Sequence, residues 1–150
     1  MEISMDDIKA LREESGVSVM KCKQALEEAN GDMDAARGIL REVSAKAAAK
    51  KADRDLGAGV VQSYIHPNNT IGVLVQLSCE TDYVAMNTDF IAIANDIAMH
   101  IAAMMPENVS ELLEQPFVKN PEIIIAKLIE EGTLKLGERI EVTSFTRYAF

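Results

Sequence analysis

The chain has 150 residues, of which 48% are hydrophobic and 26% charged, and its formal net charge is −9. This length is near the mode for one domain, allows two small ones, and comes with an ordinary globular composition. No window approaches the roughly 18 consecutive apolar residues of a membrane span. The acidic N-terminus resembles neither a secretory signal nor an Arg-rich transit peptide. We therefore expect a cytoplasmic protein without a membrane segment.

The net negative charge argues against direct binding of nucleic acid, which usually requires a basic stripe that neutralises phosphates. The only basic concentration is KAAAKKADR at residues 46–54, and its lysines are better interpreted as a solvated helix face. The two cysteines, Cys22 and Cys79, lie in apolar patterns and do not form a disulfide framework. We expect both to be buried free thiols.

Residues 1–45 are predicted to form three short helices. Ser4 is placed to cap the first helix, and Gly16 is placed to end it. Ser18 starts the second helix, and Asn30-Gly31-Asp32 forms a turn that leads into the third. Fewer than about 50 residues bury only a modest core, so we expect a docking module that is marginally stable alone.

The third helix is predicted to run on into a helical or semi-rigid linker at residues 46–56. This segment has strong helix formers but little apolar face, and Gly57 and Gly59 bring it to an end. The remaining residues, 57–150, are predicted to form a second domain, the core.

The core is predicted to begin with a β-hairpin over residues 60–79, with HPNNT as its turn. In its second strand, alternate residues share one apolar face: Ile71, Val73, Val75, Leu77 and Cys79. A long helix is predicted to begin after Asn87 or Thr88 and to end at Pro106. Its apolar stripe is Phe90, Ile93, Ile97, Ile101 and Met104 or Met105.

The last third of the chain is predicted to add one helix and one strand. Asn120 is placed to cap the helix, with Pro121 at its first position and Gly132 at its end. The closing ERIEVTSFTRYAF is rich in β-branched and aromatic residues, as strands are. The expected fold class is α+β: a three-helix bundle followed by a β-β-α-α-β core, with a small antiparallel sheet and helices on one face.

The sequence contains few residues that could form a catalytic or metal site. His66 and Cys79 are expected at opposite ends of the strand pair, so a Cys-His couple is not suggested. His100 is expected to flank the buried stripe of the long helix. Glu80 and Asp82 supply too few oxygen ligands for a metal, and no Gly-rich phosphate loop is present. We predict no catalytic residue, no cofactor and no metal, and therefore not an enzyme.

The segment CETDYVAMN at residues 79–87 is unusual for a connection between a strand and a helix. An aromatic residue and a valine directly follow an acid. Tyr83 and Val84 can fold back as a plug on the sheet, with Asp82 capping local backbone. Alternatively, they form a rigid recognition wedge that fills a pocket in a partner. The residues alone favour the plug.

Three stretches of the sequence resemble the bacterial elongation factor Ts family, the nucleotide exchange factors of elongation factor Tu. They are IKALREESGVSVMKCKQALEEANGDMDAARGILRE, then YIHPNNTIGVLVQLSCETDYVAMNTDFIAIANDIAMHIAA, and finally LLEQPFVKNP with the closing IEVTSFTRY. They occur in the family's order and cover nearly the whole chain. The first stretch resembles the family's three-helix module of the ubiquitin-associated (UBA) type.

The resemblance implies a mechanism and its residues. The implied partner is elongation factor Tu, both GDP-bound and nucleotide-free, and GDP release follows disturbance of its Mg²⁺ site. Asp82 and Tyr83 would take the roles of the family's Asp-Phe pair, flanked by Thr81 and Val84. His66 matches a family position near the third domain of elongation factor Tu. The N-terminal module would dock on the GTPase domain through Leu11, Arg12, Val19, Met20 and Lys23.

The sequence departs from the family in two ways. Tyr83 replaces the usual Phe, and its hydroxyl needs a partner or water once it is buried. The chain is also short, because it lacks the duplicated core or helical-hairpin insertion of many members. We expect a homodimer, in which the second copy supplies the contacts that the second core makes in longer members.

Two other functions stay open. The first is a non-catalytic interaction module, whose UBA-like bundle binds a partner while the core is structural. The second is a cysteine-dependent enzyme, which would depend on Cys79.

Overall fold

The computed structural model describes residues 3–150, so the first two residues of the predicted N-terminal module lie outside the described part. The helices are α1 (Met5–Ser15), α2 (Val19–Glu28), α3 (Met33–Lys51), α4 (Asp82–Ala85), α5 (Thr88–Met104), α6 (Val109–Glu114) and α7 (Ile125–Leu136). The strands are β1 (Ala58–Ile65), β2 (Ile71–Cys79), β3 (Pro116–Phe117), β4 (Asn120–Ile124) and β5 (Glu141–Ala149). The expected α+β class is confirmed. Helix α6 is a short helix in the connection after α5, and α4 and the β3–β4 pair are short additions to the predicted order.

The first three helices form a bundle with its own apolar core. The predicted caps are present: the Ser4 side chain accepts from the Asp7 N–H, and Gly16 ends α1 at a left-handed φ of 66°. The Asp32 side chain accepts from two N–H groups at the start of α3. The buried side chains of the bundle are Ile8, Leu11, Val17, Cys22, Ala25, Leu26, Ala36 and Leu40. Cys22 is a buried free thiol, which confirms the expectation from its apolar sequence pattern.

Helix α3 joins the bundle to the rest of the molecule without a break. It continues to Lys51, so the predicted boundary between residues 45 and 46 falls inside a helix. Helix α3 packs along α7: the Arg41 Nε lies 4.0 Å from a Glu131 carboxylate oxygen, and the Lys51 Nζ donates to the Gly137 carbonyl at 3.0 Å. Leu134 of α7 also packs against the core of the bundle. The division into 1–45, 46–56 and 57–150 stays a prediction.

The main sheet has three antiparallel strands in the order β1-β2-β5. The predicted apolar face of β2 is confirmed, because Val73, Val75, Leu77 and Cys79 are buried and Ile71 is partly buried. Helix α5 packs against β1 and β2 on this face. Gly59 lies within β1, opposite Ser78, and does not end the linker as predicted.

Helix α5 begins at its predicted cap, since the Asn87 side chain accepts from the Asp89 N–H at 2.8 Å. Its stripe is confirmed from Phe90 to Ile101 but not beyond, because Met104 is the last helical residue and Met105 takes a left-handed φ of 51°. Both methionine side chains are therefore exposed.

The region around His100 differs from the prediction that this residue flanks the stripe. His100 is fully buried, because the β3–β4 hairpin folds over that side of α5. Its Nε2 lies 2.9 Å from the Gln115 Oε1, and its Nδ1 accepts from the Val118 N–H at 3.1 Å. These two bonds together fix the neutral tautomer with the proton on Nε2.

Two predictions about the second helix of the core are wrong. Asn120 and Pro121 lie in strand β4, where Asn120 pairs with Phe117, and α7 begins only at Ile125. Proline is tolerated both at a helix start and in an edge strand, so the local pattern was ambiguous. Gly132 lies inside α7, where an added Cβ would stand 2.9 Å from the Ile93 Cδ1; the helix ends instead at Gly137.

Candidate partner-binding site

The segment after β2 folds into a single helical turn, α4. Thr81 is its N-cap, with its side chain accepting from the Val84 N–H at 3.5 Å. Two residues later, Asn87 caps α5, so α4 is held between a buried strand and a long buried helix. We call the exposed residues Asp82, Tyr83 and Met86 of this segment the tip.

The structure separates the two apolar residues that could act as plug or wedge. The side chain of Tyr83 is 91% exposed and Met86 is 77% exposed. Val84 is partly buried against the main core, and Ala85 is buried in it. Val84 and Ala85 therefore act as the plug, while Tyr83 stands away from the sheet. A large aromatic side chain with this exposure is a typical anchor for a partner protein.

Asp82 lies beside Tyr83 on the same turn and is exposed. Its carboxylate makes no hydrogen bond or ion pair with residues 3–150, since the capping role predicted for it is taken by Thr81. Its negative charge is thus available to groups outside the chain.

A network of polar contacts joins the residues before the tip to the loop between α7 and β5. The Glu138 carboxylate accepts from the N–H groups of Glu80 and Thr81 at 3.1 and 3.0 Å, and from the Thr81 hydroxyl at 2.6 Å. The Glu80 carboxylate accepts from the Arg139 N–H at 2.6 Å. Sequence reasoning missed Glu138 and Arg139, because nothing in the local pattern links them to a segment 57 or more positions earlier.

Cys79 ends the buried strand directly before the network. Its Sγ donates to the Thr81 carbonyl at 3.2 Å, and the residue is fully buried as a free thiol, as predicted. Burial raises the pKa of the Cys79 thiol, and the nearby charge of Glu138 raises it further. A thiol that is both buried and harder to ionise is a poor nucleophile, which disfavours the cysteine-dependent enzyme.

The predicted docking residues of the bundle divide into two groups. Leu11 is 0% exposed and belongs to the core of the bundle, so its side chain is not part of the exposed surface in this conformation. The other four side chains are exposed: Arg12, Val19, Met20 and Lys23. Met20 is the most open of the large apolar ones, at 71%. We call these four residues the bundle surface.

His66 lies in the turn of the β1–β2 hairpin, where its Nδ1 and the Tyr64 hydroxyl are 3.1 Å apart. The pairing of Ala58 with Cys79 and of Ile65 with Gly72 puts this turn at the opposite end of the strands from the tip. A strand of 8 residues is roughly 26 Å long. The structure therefore does not bring His66 together with Asp82 and Tyr83.

The described residues contain neither a membrane-spanning helix nor a cluster of metal ligands. None of the helices within residues 3–150 is long and apolar enough to cross a membrane. In the same part of the chain, no group of three or more His, Cys, Asp or Glu residues is arranged to hold a metal ion.

Comparison with known proteins gives one consistent result. The sequence model of the Elongation factor TS family matches residues 39–112, which include β1, β2, α4 and α5. Elongation factor Ts of Carboxydothermus hydrogenoformans is 41% identical, over 97% of this chain and 88% of its own length. The protein of the same name from Herpetosiphon aurantiacus is 37% identical, over 99% and 98% respectively.

The alignments also show a difference in length. They extend over 191 and 193 positions, whereas this chain has 150 residues, so the relatives have residues at positions where this chain has none. Elongation factor Ts of Desulforamulus reducens shows the same pattern at 40% identity, over 98% of this chain and 88% of its own length. Identity at this level along almost the whole of both sequences means that the chain belongs to the elongation factor Ts family.

Proposed function

We propose that the chain is a guanine nucleotide exchange factor for elongation factor Tu, and that the tip promotes GDP release by disturbing the Mg²⁺ site of that partner. Membership of the elongation factor Ts family supports the coarser part, a role in translation elongation. One observation carries the finer part: Tyr83 is 91% exposed beside the unpaired carboxylate of Asp82, on a turn fixed at both ends.

The mechanism follows from the demands of the ion. Mg²⁺ bridges the phosphates of a bound nucleotide and protein oxygens, and it requires near-ideal octahedral geometry. The ring of Tyr83 fills a gap between elements of the partner and shifts them, while the charge of Asp82 disturbs groups near the ion. The ion then leaves, and GDP loses its counter-charge. The chain needs no nucleophile, cofactor or metal of its own for this, and it is not an enzyme in the bond-breaking sense.

Thermodynamic linkage determines when the factor dissociates from elongation factor Tu. If the factor lowers the affinity of elongation factor Tu for a nucleotide, the nucleotide lowers the affinity of elongation factor Tu for the factor to the same extent. The factor therefore binds the GDP form, stabilises the nucleotide-free form, and is released when GTP or GDP rebinds. A coupling of about 4 kcal/mol changes nucleotide affinity about a thousandfold.

The bundle surface is proposed as the second contact, docking on the GTPase domain of elongation factor Tu. Val19 and Met20 supply exposed apolar area, while Arg12 and Lys23 supply exposed positive charge. Exposed apolar side chains together with charged ones are typical of protein contact surfaces. His66, at the far end of the hairpin, is proposed as a third contact with another domain of the partner.

A homodimer is proposed to supply the contacts that longer relatives make with additional residues. The face of the sheet opposite α5 is uncovered and carries the exposed apolar side chains of Val61, Ile65, Leu74 and Tyr148. Ile65 and Tyr148 both pair with Gly72, so they lie in one row across the sheet. An uncovered apolar sheet face suits a second copy of the same sheet.

Sedimentation of the wild type is expected to show a dimer that Leu74→Glu dissociates; a monomeric wild type would contradict the proposal.

The decisive assay for exchange is the release of fluorescent GDP from elongation factor Tu of the same organism. The wild type is expected to accelerate release, and Asp82→Ala or Tyr83→Ala to reduce the acceleration at least about tenfold, as for an interface anchor. Glu107→Ala and Met104→Ala are matched controls, because they remove an exposed acid and an exposed methionine at the far end of α5 from the tip.

Each negative result in this assay has a separate meaning. A wild type that leaves GDP release unchanged would contradict the exchange function. Tip variants that equal the wild type would leave the function in place and exclude the site. If the tip is dispensable while the bundle surface still binds elongation factor Tu, the non-catalytic interaction module is the better description.

A further inference from the structure

Glu138 is the residue through which the α7–β5 loop holds the base of the tip. One carboxylate oxygen receives the N–H groups of both Glu80 and Thr81, and the other receives the Thr81 hydroxyl. Three donors of two adjacent residues thus converge on a single side chain. Hydrogen bonds to an ionised carboxylate are about twice as strong as those between neutral groups.

The contact is reciprocal, which fixes the relative position of the two segments. While Glu138 accepts from the backbone of Glu80 and Thr81, the Glu80 side chain accepts from the backbone N–H of Arg139. Two backbone segments that each bind the side chain of the other cannot slide past one another without losing both sets of bonds. We call Glu80, Thr81, Glu138 and Arg139 the clasp.

The loop side of the clasp is itself anchored. Gly137 ends α7 with a left-handed φ of 76°, and its carbonyl accepts from the Lys51 Nζ of α3. The Arg139 guanidinium donates to the Arg54 carbonyl at 2.7 Å and to the Glu141 carboxylate at 2.7 Å. The clasp is therefore tied to the end of α3 on one side and to β5 on the other, and it provides a fixed frame for the tip.

The tip needs such a frame because α4 is too short to hold its own orientation. A helix of 4 residues has almost no cooperative stability, so its direction depends on its neighbours. The N-cap bond from the Val84 N–H to the Thr81 hydroxyl is long, at 3.5 Å. The same hydroxyl donates to Glu138, which holds it in place as the cap.

From this geometry we propose that Glu138 is a positioning residue for nucleotide exchange: it orients Asp82 and Tyr83 through Thr81 without touching the partner. The proposal rests on the proposed function for its kinetic part only. Its structural part concerns the free protein.

The structural part is tested by amide hydrogen exchange in the free protein. Glu138→Ala is expected to abolish protection of the Glu80 and Thr81 N–H groups. Glu138→Gln keeps one acceptor oxygen and is expected to retain part of the protection. Glu107→Gln is the matched control, because it removes the same charge from an exposed side chain in the loop after α5, away from the clasp. Unchanged protection in Glu138→Ala would overturn the proposal.

The kinetic part is tested by the dependence of GDP release on factor concentration. Glu138→Ala is expected to lower the maximal release rate about tenfold, because misplacement of a reacting group by about 1 Å costs up to about a hundredfold. The half-saturating concentration is expected to change less than about threefold, because the bundle surface still docks. Simple loss of folded protein would do the opposite: the half-saturating concentration would rise and the maximal rate would stay. Glu138→Gln is expected to lie between the wild type and Glu138→Ala.

A double variant shows whether Glu138 acts through the tip. If it does, Glu138→Ala adds little to Tyr83→Ala, because the group it orients is already absent. Independent, multiplying effects would contradict the proposal. A wild type that does not accelerate GDP release at all would contradict the proposed function instead, and amide exchange would still decide whether Glu138 holds the turn.

Discussion

The bundle surface and the tip both present exposed apolar side chains, but different forces hold them in place. Behind Val19 and Met20 lies an apolar core of eight buried residues. Behind Tyr83 lies one helical turn, fixed by the buried Val84 and Ala85 and by the polar contacts of Glu138. A surface on a packed core tolerates the loss of any one polar contact, whereas the orientation of the tip depends on a few. We therefore expect docking and exchange to be separable by mutation.

The largest effect is expected from Leu26→Ala, which tests whether the bundle is a module of its own. Leu26 is fully buried in the bundle, and truncation of such a leucine costs about 2–5 kcal/mol. We expect amide protection to fall in α2 while the Val75 N–H in β2 stays protected. Phe90→Ala, in the core, is the reciprocal variant: protection is expected to fall in the core and to stay in α2. Simultaneous loss of protection in both regions would show one cooperative unit and contradict the boundaries 1–45 and 57–150.

Mildly acidic pH, down to about 5.5, is expected to weaken the core but not the bundle. Burial lowers the pKa of His100 below 6.5, and a second ring proton would face the Val118 N–H. Below pH 6.5 the unfolded chain therefore binds a proton that the folded core does not, so stability decreases as the pH falls, by at most about 1.4 kcal/mol per pH unit.

Urea unfolding at pH 7.5, 6.5 and 5.5 measures this dependence. His100→Asn keeps an acceptor for Val118 and is expected to flatten the profile. A variant profile as steep as that of the wild type would exclude His100 as the titrating group. Residues 1–45 contain neither histidine, so equal weakening of the bundle would point to another titrating group.

A smaller effect is expected from Met20→Ser on the bundle surface. Loss of an exposed apolar contact worth about 1 kcal/mol raises the half-saturating concentration for GDP release about fivefold and leaves the maximal rate unchanged. Met5→Ser is the control, because Met5 is also exposed on the bundle, at 62%. A fall in the maximal rate would show that docking and exchange are not separable.

The smallest effect is expected from Tyr83→Phe at the tip. The ring is kept, and only the hydroxyl, which loses water when the ring is buried in a partner, is removed. GDP release is expected to be unchanged or faster, within about threefold. A large loss would mean that the hydroxyl donates to a group of the partner, and that Tyr83 is more than an apolar wedge.

The sequence was sufficient where short-range patterns decide the structure. The alternation in β2, the cap at Asn87 and the left-handed Gly16 all depend on neighbours along the chain, and they are confirmed. Long-range contacts could not be predicted. Gly132 stays inside a helix because Ile93 packs against it, and Glu138 matters because it meets Thr81 across 57 positions.

The candidate site shows the same limit. The acid–aromatic pair at residues 82–83 stands out in the sequence because its residue types are unusual for a connection. Its exposure depends on Val84 rather than Tyr83 turning inward, which the sequence alone left open. Leu11 is the converse case: the resemblance implies a contact residue, and the structure buries its side chain in the core, where apolar residues of an amphipathic helix usually lie.

The unbroken helix α3 has a mechanical consequence for the whole molecule. Its 19 residues span about 28 Å, and it runs from the bundle to the Lys51 contact beside the clasp. The helix therefore sets the distance between the two proposed contact surfaces and the rotation of one relative to the other about the helix axis. Insertion of one residue between Ala47 and Lys50 would turn one end by about 100° relative to the other, so we expect changes of length to be tolerated in the surface loops and not in this helix.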